Sequence, residues 1–209
     1  MVVSVVIAMG LFMVLPYFIS SLLNSIVRHT TVLAIIEGII RLAIFVGYVI
    51  LISAMEDIKR VYMYHGAEHK CINCIEHGRE LTVENVMASS RLHKRCGTSF
   101  MLLVMVISIV LFMFISVEDP ALRVLIRILL VPVIAGISYE IIRLAGNNGN
   151  NILVKVISAP GMWLQTLTTK EPTEDMVEVA IKSVEAVFDW KEYLKEEFGY
   201  GEEAVEDEV

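Results

Sequence analysis

The sequence predicts an all-α protein: a polytopic transmembrane helical bundle of about four spans, carrying a cytoplasmic helical hairpin and a C-terminal cytoplasmic amphipathic helix. Three observations predict it. Hydrophobic residues make up 56% of the 209 positions and charged residues 20%, with a mean hydropathy of +0.67, which is more apolar than an ordinary soluble domain. The apolar residues fall in runs long enough to cross a bilayer. Charge is segregated: residues 170–209 hold 14 acidic and 4 basic side chains, and residues 1–169 hold 10 and 13. The net charge of −7 therefore belongs to the tail, and the remainder is mildly basic. No basic tract exceeds a single helical turn, which argues against nucleic acid as a partner.

Residues 1–23 carry no charge and cover a hydrocarbon core of about 30 Å at about 1.5 Å per residue. They read as a retained span, with Pro16 as a tolerated kink. A short polar connection leads to a second span, Val32 to Met55, in which Glu37 precedes Arg41 by four residues, the favourable order for a helical ion pair. Glu56 to His77 contains no proline and can extend that span into the cytoplasm, with Gly78 as the stop signal. Thr82 is placed to cap a short helix from Val83 to Ser89. Gly97 to Val117 has no charge and reads as the third span; Ala121 to Leu144 reads as the fourth, with Arg123 and Arg127 snorkelling at one end and Glu140 and Arg143 at the other.

Beyond a turn-rich break at 146–151, Ile152 to Thr169 is interrupted by Pro160-Gly161 and reads as interfacial, anchored by Trp163. Glu174 to Phe188 sets Val177, Ala180, Ile181, Val184 and Phe188 on one stripe, a cytoplasmic helix that packs on a partner surface, from a membrane or a cytoplasmic protein. The chain thus divides into a first transmembrane hairpin (1–55), a metal-site hairpin (56–97), a second transmembrane hairpin (98–146), an interfacial segment with a cytoplasmic helix (147–198) and an acidic, disordered tail (199–209). Lys59, Arg60, Lys70, Arg79, Arg91, Lys94 and Arg95 crowd the central loop. By the positive-inside rule that loop and both termini face the cytoplasm.

The chemistry concentrates in that loop. His65, Glu68 and His69 stand at i, i+3 and i+4 of the expected helix and share a face. Their order, H-x-x-E-H, is that of inverted zinc peptidases, in which two histidines bind the metal and the glutamate acts on a bound water. His93 and Cys96 offer two further nitrogen or sulfur ligands, and Glu84 a carboxylate. A closed set of His65, His69, His93 and Cys96 would be a structural zinc site; two histidines with one further ligand would leave a place for water. A third reading has no metal, only a hydrogen-bonded polar loop. Cys71 and Cys74 fall at about 240° and 180° around the helix from His65, facing away, and read as buried small residues. Glu76 lies on the histidine face two turns on, too far to share the ion directly. Glu37, Arg41, Tyr139, Glu140 and Arg143 form a set of intramembrane polar groups, expected to pair across the bundle as interhelical glue or to line a proton or substrate path.

Three ordered runs, Tyr64-His65-Gly66-Ala67-Glu68-His69-Lys70, Leu81-Thr82-Val83-Glu84-Asn85-Val86 and His93-Lys94-Arg95-Cys96-Gly97-Thr98-Ser99-Phe100, resemble the YqhQ-like family of bacterial membrane proteins. Glu37-Gly38 with Arg41, Ser138-Tyr139-Glu140 and Ala159-Pro160-Gly161 with Trp163-Leu164-Gln165 extend the resemblance over about residues 5–188. That family is a domain of unknown function described as a predicted metal-dependent enzyme. The resemblance implies a bacterial plasma membrane location. It also implies a soluble Gly-rich segment ahead of the first span, so that this chain is a shortened version or another chain supplies that part.

Three functions are compatible with these residues. The first is metal-assisted hydrolysis with zinc or another divalent ion held by His65, His69 and one of Glu84, His93 or Cys96, and Glu68 as general base. The second is a non-enzymatic membrane assembly or quality-control factor whose metal site is structural. The third is a small transporter using Glu37, Arg41, Glu140 and Arg143.

Overall fold

The computed structural model describes residues 2–23, 26–27, 29–115, 117, 119–147 and 152–200, and among these every regular element is helical. The acidic tail beyond Tyr200 and most of the 146–151 break lie outside the described residues. The chain forms two compact units, Met1–Leu51 with Lys94–Leu164 and Ile52–His93 with Gln165–Val209.

The first unit holds the apolar helices. Val2–Met9 (α1) passes through a π-helical turn, Gly10–Val14, into Leu15–Ser21 (α2). Thr30–Ser53 (α3), Gly97–Met113 (α6) and Pro120–Asn147 (α7) follow, with Ile152–Thr168 (α8) supplying its first turns to this unit. Among the described residues, three stretches are long and apolar enough to cross a membrane: Val2–Ser21, Thr31–Ser53 and Leu125–Gly146. Gly97–Met113, expected to span, is equally apolar but has only 17 helical residues, about 26 Å of axis. Small residues set the contacts here. A Cβ added at Gly38 would collide with the Ile109 side chain, and one at Gly161 would lie 2.7 Å from Ser99 Oγ, so α3 and α8 approach α6 more closely than an alanine allows without a shift.

The second unit is built on Glu56–Glu76 (α4), with Val83–Met87 (α5), Glu174–Glu185 (α9) and Trp190–Phe198 (α10). The expected continuation of the second span into α4 is broken: Met55 is extended (φ −76°, ψ 134°), and a new helix starts at Glu56. Glu56 and Asp57 occupy its first turn, where the helix dipole favours negative charge. Gly78, at φ 69°, ends α4, and Arg79 N–H reaches back to Cys74 O at 3.1 Å, the left-handed cap that glycine adopts without strain. Thr82 caps α5, accepting from Asn85 N–H at 3.3 Å.

One apolar core joins these helices: Ala67, Cys71, Cys74 and Ile75 of α4, Leu81, Val86, Val177, Ala180, Trp190 and Leu194. The α9 stripe expected to meet a partner has Val177 and Ala180 buried and Ile181 and Val184 packed against the core of this unit, while Phe188 remains 43% exposed. Helix α10 was not foreseen from the sequence. It closes the core with Trp190 and the fully buried Leu194, capped by Asp189, which accepts from two amides, and by left-handed Gly199.

Candidate metal centre

The polar face of α4 is explained first by a backbone need. Residues 88–95 form an irregular loop whose carbonyls lie against the helix, and buried carbonyls require donors. Lys70, 5% exposed, donates from Nζ to Met87 O at 2.9 Å and Ser89 O at 2.8 Å. Asn73 Nδ2 donates to Ser90 O at 2.8 Å and Leu92 O at 3.0 Å. His69 Nδ1 lies 2.8 Å from Arg91 O. The two sides of Gln165, itself fully buried, clamp one residue: Oε1 accepts from His93 N–H at 2.9 Å and Nε2 donates to His93 O at 2.7 Å.

These bonds fix tautomers. A carbonyl oxygen only accepts, so His69 Nδ1 carries the proton and a neutral His69 presents its lone pair at Nε2. The same holds for His65, whose Nδ1 lies 2.9 Å from Thr168 O. The two rings stand 4.4 Å apart between centroids, inclined at 65°. Anchoring the far nitrogen to a carbonyl is how proteins orient metal-binding imidazoles. Thr168 reaches this position because Lys170 N–H bonds Tyr62 O at 2.9 Å and Lys170 O passes over Gly66, where a Cβ would collide with it.

His93 is arranged differently. Its Nε2 pairs with Glu76 Oε2 at 3.0 Å, its ring centroid lies 5.8 Å from that of His69, and its buried Nδ1 has no hydrogen-bond partner among the described residues. Cys96 follows three residues later, on the peptide that leads into α6, with its thiol 3.2 Å from Thr98 Oγ1. The ligand atoms of His65 and His69 lie within 4.8 Å of each other, close enough to share an ion. Two imidazoles so placed suit zinc, which takes nitrogen and sulfur ligands readily.

The other expected site residues lie elsewhere. Glu68 and Glu84 are exposed, on α4 and α5, outside this group of donors. Cys71 and Cys74 are fully buried in the core, and burial, with smaller contributions from Cys74 and Glu68, pushes the Cys71 thiol up to about 12. The intramembrane set falls into two parts. Glu37 and Arg41 join Arg127, whereas Glu140 pairs with Arg143 at 3.5 Å, both more than half exposed. Arg127 and Arg143 stand 16 positions apart on α7, about 24 Å along the axis, so these are separate clusters. Tyr139 and Arg143 line a cleft of about 410 Å³ with Arg95, Cys96, Gly97 and Phe100.

Sequence reasoning did not find Gln165, Thr168 or Arg91 as supports of the histidines. Two of the three act through backbone atoms that no residue type advertises. Gln165 was visible as part of a run that carries the family resemblance, with no sign of which residue it holds.

Residues 1–190 match a family described as "Protein of unknown function (DUF1385)". The chain is 41% identical over 182 residues to "Uncharacterized protein YqhQ" of Bacillus subtilis (strain 168). That match covers 87% of this chain and 57% of the relative, so the chain spans little more than half of that protein's length. No solved structure matches it.

Proposed function

The chain belongs to the DUF1385 family of proteins of unknown function, and on that premise we propose that it is a four-span membrane protein that binds a divalent metal ion, zinc, through His65, His69 and one of Glu84, His93 or Cys96 and catalyses hydrolysis at the membrane surface. One observation carries the reading: both helix histidines give their Nδ1 protons to backbone carbonyls, which turns two Nε2 lone pairs, one helical turn apart, into ready ligands. Three protein ligands leave a coordination position open, and a zinc ion so held supplies Lewis acidity there. Glu68, exposed one residue before His69, is the general base in this reading. The clustering of Lys and Arg in residues 56–97 orients this site, and both termini, to the cytoplasm.

Elemental analysis of the purified protein tests the binding: about one zinc per chain, lost in His65→Ala and His69→Ala. Protein without stoichiometric metal, loaded with zinc and desalted, would sink the reading. Glu68→Gln tests the chemistry. It keeps the metal and fails to complement a cell lacking the gene, and full complementation would remove Glu68 from the reaction.

The unpartnered Nδ1 of His93 favours a second reading, in which His93 closes the site as a fourth ligand and the protein is a membrane assembly or quality-control factor. His93→Ala separates the two. An open site retains its zinc in that variant, and a closed one loses at least tenfold in affinity.

A further inference from the structure

The polar cluster of the first unit holds more positive charge than its carboxylate neutralises, and the geometry points to a binding site there for an oxyanion, the headgroup of an acidic lipid. Glu37 is 5% exposed. Its Oε1 accepts from Arg41 Nη2 at 2.8 Å and from Arg127 Nη1 at 2.7 Å, and its Oε2 accepts from Arg127 Nη2 at 3.2 Å. Two guanidiniums therefore share one carboxylate, and among the described residues no other acid is ion-paired to either.

Their remaining contacts are with neutral groups. Arg41 Nε donates to Phe12 O at 2.9 Å, and Arg127 lies 5.1 Å from the centre of the Phe112 ring. Each guanidinium carries five N–H groups in a fixed fork that matches carboxylate and phosphate oxygens. The bonds named engage two on each side chain, leaving donors for a ligand.

Position and surroundings define that ligand. Glu37 and Arg41 stand seven and eleven residues into α3, about 11 and 17 Å along its axis. In a bilayer an uncompensated guanidinium at that depth is costly and draws an anion or thins the membrane toward a headgroup. The two arginine side chains keep 17% and 20% of their surface open. Beside them Ile39, Ile128 and Leu129 are each more than half exposed, an apolar margin along which acyl chains can lie. Phe12 belongs to the π-helical turn of the first span, a distortion that is frequent at functional sites. The whole unit has the same bias, with 8 basic and 4 acidic residues in 1–51 and 94–164.

The test uses the full chain in a neutral detergent, with phosphatidylglycerol and phosphatidylcholine compared by native mass spectrometry and thermal unfolding. Phosphatidylglycerol is expected to stay bound and to raise the unfolding temperature, while phosphatidylcholine does neither. Arg127→Gln leaves Glu37 and Arg41 as a neutral pair, so it is expected to fold as well as the parent in lipid-free detergent and to bind phosphatidylglycerol about tenfold more weakly. Equal binding of the two lipids by the parent, or undiminished phosphatidylglycerol binding by Arg127→Gln, overturns the site. If that variant does not fold, Arg41→Gln decides by the same comparison. Inorganic phosphate distinguishes the source: stabilisation of the parent but not of Arg127→Gln by millimolar phosphate alone assigns the site to a soluble oxyanion, and its absence beside a lipid effect assigns it to the headgroup.

Discussion

Arg91 holds the two candidate ligands in register. Its carbonyl accepts from His69, while its Nη1 donates to Thr169 O at 2.8 Å and Thr169 Oγ1 at 3.0 Å and its Nε donates to Glu171 at 3.1 Å. The residue before Thr169 supplies the carbonyl that accepts from His65. One side chain therefore ties the orienting carbonyl of each histidine to that of the other. Arg91→Ala is expected to weaken zinc binding by about 10- to 100-fold, the usual range for groups that orient ligands, as measured by competition with a chromophoric chelator. A cobalt-substituted sample should show an altered visible spectrum, which a loss of stability alone would not produce. At this scale the sequence was informative for side chains and silent on backbone. His65, His69 and Cys96 could be singled out because their chemistry is written in their residue types. Thr168 and Arg91 act through carbonyls, and every residue has one.

Among elements, the approach of the 168–171 segment to α4 depends on Gly66. A methyl group there would collide with Lys170 O, which is backbone and cannot swing aside. Gly66→Ala is expected to cost about 1–3 kcal/mol, the range for overpacking, and to lower zinc content as His65 loses its anchor. Chemical denaturation and elemental analysis measure the two effects. The helix from Glu56 was legible because it lacks proline and because Gly78 can stop it. Its separation from the second span was not, because Ala54 and Met55 carry no break signal and the turn is made by Met55 backbone alone. Helix α10 went unread since Trp190 and Leu194 are apolar points in a strongly charged stretch, and only packing on Val177 and Ala180 gives them a face to fill.

For the whole molecule, composition carried the class: among the described residues every regular element is helical, and three stretches have membrane-crossing length and apolarity. The 17 residues of Gly97–Met113 leave the count of spans to experiment. Reporter fusions after residues 78, 117 and 190 are expected to report cytoplasm, exterior and cytoplasm in that order if four spans cross. Identical signals from the fusions at 78 and 117 would mean that Gly97–Met113 does not cross.

The amide of Gln165 grips residue 93 by its peptide N–H and its carbonyl, never by its imidazole. Any amino acid except proline offers that same handle. The chain thereby writes location and chemistry in separate places, the address at position 165 and the message at position 93. Substitution at 93 can change what is presented while leaving where it is presented untouched, so a library of side chains at this one position would explore new reactivity on a fixed scaffold.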